Sequence, residues 1–171
     1  CTAVSGLLSE LQHKQAIEEA AKAGAKLKEV QIDELDDENF RSNKADKCFH
    51  CKSRLFKKLN EIAMQQGLDQ VICGSNVDDM DDFRPGNRAA KAFNIKTPLI
   101  SAGLNKEEIR QISREMGLST ADIPASPCLA SRLAYGLEIT AERLKQVEKA
   151  EQVLRDAGFV EFRVRHHGDI D

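Results

Sequence analysis

At 171 residues the chain is long enough to bury a real core, and 41% hydrophobic with 31% charged residues is ordinary globular composition. A formal net charge of -3 provides no basic field to hold a polyanion through counterion release, which disfavours a nucleic-acid partner. Five cysteines are an odd count, no apolar run approaches the ~18 residues of a membrane span, and no secretory segment opens the chain, so no membrane association and a reducing cytoplasm are expected.

The chain opens without Met in the apolar stretch Cys1-Thr2-Ala3-Val4 and stops shortly after Phe162-Arg163-Val164-Arg165, so it reads as a fragment cut at both ends. Short apolar runs alternate with amphipathic helices, the pattern of a parallel sheet covered by crossover helices. Strands are predicted over residues 2–4, 27–32 and 70–73, with a helix over 11–23 stopped by Gly24. A long helix is predicted over 47–66, with Asp46 as its N-cap and Gly67 at its end. Leu55, Leu59 and Ile62 form its apolar stripe, and extending that stripe backwards turns both Cys51 and Cys48 inward from the first turn. The positive end of the helix dipole there favours thiolates or an anionic group.

Asn105 and Glu108 have the spacing of a capping box, and Ile109, Ile112 and Met116 are the expected buried face of the helix that follows, ended by Gly117. Residues 119–136, with Pro124, Pro127 and Gly136, cannot continue a helix and are expected to form an ordered loop. Thr140 caps a helix running to residue 157 with Leu144, Val147, Ala150 and Leu154 inward, followed by Gly158 and a strand over 160–165.

Three cysteines are the candidates to carry chemistry: Cys48 and Cys51 in one turn, and Cys128 far downstream, with simple burial as the bland alternative. Three protein ligands on a tetrahedral metal leave one position open, which a reactive centre needs. The Cys48-X-X-Cys51 spacing alone is a weak signal, since it serves redox disulfides, zinc and iron-sulfur clusters; a redox pair normally follows a strand and a zinc site would want a second pair, which favours a cluster. His50 could complete a zinc shell, although its place between the cysteines turns it towards the surface. Cys73, in the strand Val71-Ile72-Cys73-Gly74, reads as a small buried hydrophobe, and Cys1 as incidental.

The run from Gly74 to Gly86 leaves a parallel strand at its carboxyl end, where ligands of doubly wound folds bind. Its aspartates, Asp78 and Asp79 among them, can hold Mg2+ or a ribose, and Arg84 can pair with phosphate; a solvated acidic loop is the bland alternative. Arg163 and Arg165 alternate on one strand and share a face suited to a phosphate or carboxylate, the alternative being a charged edge strand. Ser131 and Arg132 could cap the same anion.

The stretches 45–55, 74–86 and 124–132, together with Arg163-Val164-Arg165, resemble the LarE family of ATP-dependent sulfur transferases in the PP-loop superfamily. Of these, Ala125-Ser126-Pro127-Cys128-Leu129-Ala130-Ser131-Arg132 is the most specific. The resemblance spans essentially the whole chain. It implies a Rossmann-like three-layer α/β domain with a parallel sheet, adenine nucleotide alpha-hydrolase-like, over residues 1–123, and the beginning of a small α+β sulfur-transfer domain over 124–171.

Members of that family make the nickel-pincer nucleotide cofactor of lactate racemase. They activate a pyridinium carboxylate mononucleotide with ATP and replace carboxylate oxygen by sulfur. One form sacrifices a single cysteine; the other holds a [4Fe-4S] cluster on three cysteines, and this sequence resembles the second through Cys48, Cys51 and Cys128. By the same resemblance Ser131, Arg163 and Arg165, with Arg132 beside them, bind substrate phosphate, while Gly74, Asp78, Asp79 and Arg84 lie near ATP and Mg2+. A homo-oligomer is expected.

The family's phosphate loop, Ser-Gly-Gly-X-Asp-Ser, is absent from these residues, so the chain as given is expected to adenylate substrate poorly. Two other readings stay open: a cluster-dependent tRNA thiolase of the same superfamily, against which the acidic balance counts, and a zinc-stabilised non-catalytic domain.

Overall fold

The computed structural model describes residues 1–80 and 85–168. These form a mixed α/β chain that divides into two compact units, one of residues 1–47 with 124–171 and one of residues 48–123. A junction thus falls at Pro124, and another falls at the start of the long helix, between Lys47 and Cys48.

In the first, discontinuous unit, β1 (Thr2–Val4) pairs in parallel with β2 (Glu29–Gln31), Ala3 lying opposite Val30. The crossover is α1 (Glu10–Lys22), whose first turn is closed by a capping box between Ser9 and Gln12. A short turn of helix, α2 (Glu38–Arg41), delivers the fully buried Phe40. The core is completed by Leu7, Val30, Leu129, Ala130, Leu133, Ile139, Leu144 and Val147.

The second unit is built on α3 (Lys47–Gln65), which begins at the junction and belongs to this unit from Cys48 onward. Its Phe56 packs with Ala89 and Ala90 of α4 (Pro85–Ala92) and with Ile95, flanked by Phe49, Leu59, Val71, Cys73 and Phe93. After the short α5 (Pro98–Ser101), the expected capping box opens α6 (Lys106–Glu115): Asn105 Oδ1 accepts from Glu108 N at 2.9 Å and Glu108 Oε2 from Asn105 N at 2.9 Å. Near its end Arg114 pairs with Asp122 at 2.9 Å, and that hydrogen bond and charge raise the guanidinium above its ordinary value. Back in the first unit, Thr140 caps α7 (Ala141–Asp156) as expected, with Leu144 and Val147 buried.

Three expectations change. The strand over 70–73 is a single parallel bridge, Ile72 to Lys96, in which Lys96 N donates to Val71 O at 3.0 Å and Cys73 N to Lys96 O at 2.9 Å. The next donor in that register would be residue 98, which is Pro98 and has no N–H, so the ladder stops. The strand over 160–165 is not formed, and the nearby bridge, Leu133 to His166, lies just past it. Its face alternation survives, with Arg163 and Arg165 exposed and Phe162 and Val164 half-buried. Finally, α6 does not bury Ile112 and Met116, which are 42% and 67% exposed. The half-buried line runs instead through Ile109, Arg110 and Ser113, because Arg110 is drawn in by the carbonyl of Ile123 at 3.2 Å and Ser113 by that of Ile109 at 2.7 Å.

Among the described residues no helix is long and apolar enough to cross a membrane. Substituting Asn105→Ala removes the acceptor for the Glu108 amide, and a loss of about 1 kcal/mol in urea unfolding is expected.

Candidate functional site

Cys48 and Cys51 lie three residues apart on the first turn of α3, but they are not its inner face: Cys48 is exposed and Cys51 half-buried. The inward line runs Phe49, Phe56 and Ala63, at intervals of two helical turns, and places Cys48 one step of about 100° away from it. The stripe read through Leu55 is the flank of that line, which is why the backward extension turned Cys48 the wrong way. His50, between the cysteines, is half-buried with its ring edge-on to Phe49 at 5.5 Å. The Phe49 ring also carries Arg88 over it, 5.0 Å from its centroid, so a cation stands on the first turn of the helix that bears the two thiols.

In the same unit, the run after Cys73 docks on the start of α6. Val77 N donates to Leu104 O at 3.1 Å, and Asp78 Oδ2 accepts from Lys106 N at 2.8 Å, a carboxylate at a helix N-terminus. Asp79 Oδ2 accepts from Asn76 N at 3.1 Å. One oxygen of each carboxylate therefore has a structural partner, while Asp78 stays exposed. A Cβ on Gly74 would meet nothing within 4 Å, so the fold itself supplies no steric reason for glycine there. Arg84 lies outside the described residues.

In the discontinuous unit, Cys128 is exposed and directly precedes a turn of 3-10 helix over Leu129–Arg132. The loop leading to it is tied down through its carbonyls. Ala125 O accepts from Arg163 Nη2 at 3.5 Å, Ser126 O from Gln12 Nε2 at 2.9 Å, and Pro127 O and Cys128 O both from Arg132 Nη1, the latter at 3.2 Å. Four consecutive carbonyls of an irregular segment thus find side-chain donors, and the Cys128 thiol is presented from a fixed backbone.

Arg132 is therefore not an open anion-binding group. Its side chain is 5% exposed and its Nε donates to Glu151 Oε1 at 2.8 Å, with Nη2 to Oε2 at 3.4 Å. Nη1 also meets Ser131 Oγ at 3.0 Å. Glu151 Oε1 in turn accepts from Val164 N at 3.3 Å, which anchors the extended residue between Arg163 and Arg165. Those two guanidiniums are exposed on one face, as the alternation requires.

Gln12 and Glu151 are functional neighbours that sequence reasoning missed. Gln12 gives no signal, since its partner is 114 residues away. Glu151 does: Leu144, Val147 and Glu151 follow a three-then-four spacing, which puts a carboxylate on the buried stripe of α7.

Among the described residues no three His, Cys, Asp or Glu side chains are gathered as ligands of one metal ion. Cys48 and Cys51 belong to one unit and Cys128 to the other.

Removing one partner of the buried pair leaves an uncompensated charge. Arg132→Met alone is expected to cost about 3–5 kcal/mol, and Arg132→Met with Glu151→Met to recover most of that loss, read from urea unfolding of both variants.

No protein-family model matches the chain. It is 42% identical over 169 residues to an uncharacterized protein of Synechocystis sp., covering 99% of this chain and 63% of that protein. It is 32% identical over 166 residues to the pyridinium-3,5-bisthiocarboxylic acid mononucleotide synthase of Lactiplantibacillus plantarum, covering 97% of this chain and 60% of the synthase. An uncharacterized protein of Methanocaldococcus jannaschii is 31% identical over 163 residues, 95% of this chain and 62% of its own length. The chain spans about three fifths of the curated relatives it matches.

Proposed function

We propose that this chain is part of a LarE-family sulfur transferase that converts the carboxylate of a pyridinium mononucleotide into a thiocarboxylate, with ATP as activator. The observation that carries this reading is the 32% identity to the synthase along 97% of the chain, because that enzyme's product is a thiocarboxylic acid mononucleotide. The small parallel sheet with its α1 crossover is compatible with the three-layer PP-loop fold that the reading requires.

A carboxylate is a poor electrophile with a poor leaving group. Transfer of AMP to a carboxylate oxygen, with release of pyrophosphate, supplies the leaving group; sulfide then forms the new C–S bond as the C–O bond to AMP breaks. In this reading Asp78 and Asp79 sit near Mg2+ and ATP, together with Gly74 and Arg84, and an open Gly74 backbone lets a phosphate approach. Arg163, Arg165 and the Ser131 hydroxyl bind the substrate's phosphate. Arg132 serves them from beneath, by fixing the backbone of Cys128 and sharing Glu151 with Val164.

The donor set fits a [4Fe-4S] cluster: Cys48 and Cys51 are reduced and share one helical turn, and Cys128 is reduced and exposed. These three would hold it, and the group would supply sulfide at an iron that has no cysteine ligand. About four iron and four sulfide per chain are expected after anaerobic reconstitution, with most of both lost in Cys48→Ala and in Cys128→Ala. Roughly one zinc and no iron would overturn the cluster assignment.

For the anion face, Arg163→Ala and Arg165→Ala are each expected to weaken calorimetric binding of the mononucleotide by roughly 10- to 100-fold. The corresponding nucleoside without phosphate should bind the variants and the parent chain alike.

A further inference from the structure

Beneath the turn that follows Cys128 lies a second buried polar group, formed by Asn43 and Lys47. Asn43 has no exposed surface and a left-handed backbone, φ 51°. Its Nδ2 donates to Ala134 O at 2.7 Å and to Leu137 O at 2.8 Å, and its own carbonyl accepts from Gly136 N at 3.2 Å. Its Oδ1 accepts from Lys47 Nζ at 2.5 Å. The Lys47 ammonium, on a residue 6% exposed, reaches on to Ala130 O at 3.1 Å and stands 4.9 Å from the centroid of the Tyr135 ring.

Three carbonyls of one segment, those of Ala130, Ala134 and Leu137, therefore converge on two side chains. Ala130 is the second residue after Cys128, and Ser131 N closes the same turn on Cys128 O at 2.9 Å. An apolar pair of similar volume would leave these three carbonyls without their donors, so the polar pair meets a need of the fold, at the cost of desolvating an ammonium, and does more than fill space. What it supplies is direction: a charged donor and a planar amide accept few arrangements of the carbonyls they meet.

We infer that Asn43 and Lys47 are positioning residues, which hold the Cys128 turn from its C-terminal side as Arg132 holds it from the other. The inference rests on the assignment of Cys128 to sulfur transfer only for its consequence, since the positioning itself can be read without iron. Lys47→Met keeps the aliphatic stem and removes the ammonium.

The test compares Lys47→Met with the parent chain by two readouts: the rate of Cys128 alkylation under native conditions, followed by peptide mass spectrometry with Cys73 as internal reference, and the Mössbauer spectrum after reconstitution with iron and sulfide. Alkylation of Cys128 relative to Cys73 is expected to accelerate about tenfold in a variant that still unfolds cooperatively. The iron signal is expected to broaden or fall. Lys47→Arg, which keeps a charged donor, should restore most of both.

An unchanged Cys128 rate in folded Lys47→Met would overturn the positioning role. A parent chain that takes up no iron, with the alkylation change still present, would sink the cluster reading and leave the positioning role standing. Should Lys47→Met fail to fold, hydrogen exchange on the parent chain decides: the Ser131 amide is expected to be protected like the buried turns of α7, and exchange at the rate of an open loop would overturn the inference.

Discussion

The Glu151 carboxylate lies on the inner face of α7, where an apolar side chain would ordinarily sit, and the way its charge is met sets the backbone on both sides of the Cys128 site. A buried anion has to be answered by a cation and by hydrogen bonds, or it takes up a proton. Arg132 supplies the cation and Val164 an amide. The guanidinium, having five donors in a rigid fork, then has one edge left over, and that edge takes the carbonyls of Pro127 and Cys128. One buried ion pair thereby orients both the cysteine loop and the backbone between the two exposed arginines. Arg132, Glu151, Val164, Pro127 and Cys128 all belong to the discontinuous unit.

What was legible in the sequence is what is decided locally. Helix starts are of this kind, since Asn105 with Glu108, or Thr140, satisfies amides a few residues away; the ends of α3, α6 and α7 at Gly67, Gly117 and Gly158 are too, each glycine having a positive φ. The crossover pairing of β1 and β2 also followed from alternation of apolar and amphipathic segments. Side-chain direction was less legible. The inward face of α3 is set by α4 and by Phe93 and Ile95, thirty or more residues onward, and they select the Phe49–Phe56 line in preference to the one through Leu55 and the cysteines. Arg132 was read by its charge as an anion binder, yet its partner is 19 residues away and can be seen only by noticing that Glu151 interrupts an apolar stripe.

The acidic run beginning at Asp78 shows a further limit of composition. Aspartates beside a strand end suggest a cation, but Asp78 also meets the amide of Lys106 and Asp79 that of Asn76. Of the carboxylates read as suiting a metal, Asp78 fastens the loop to the start of α6 and Asp79 closes a turn within the loop itself. The two uses are compatible, because a carboxylate has about four acceptor directions and one amide occupies one of them.

The single parallel bridge at Lys96 has a consequence for register. Two positions before it stands Asn94, with a left-handed φ of 54°, and two after it stands Pro98, which cannot donate. A slip of two residues in either direction would put one of these where an extended residue with both an N–H and a carbonyl is required. Lys96 is therefore the single tooth of a ratchet. Gly74 follows Cys73 directly, so the exit point of the acidic run is indexed by an asparagine and a proline that lie beyond it in the chain.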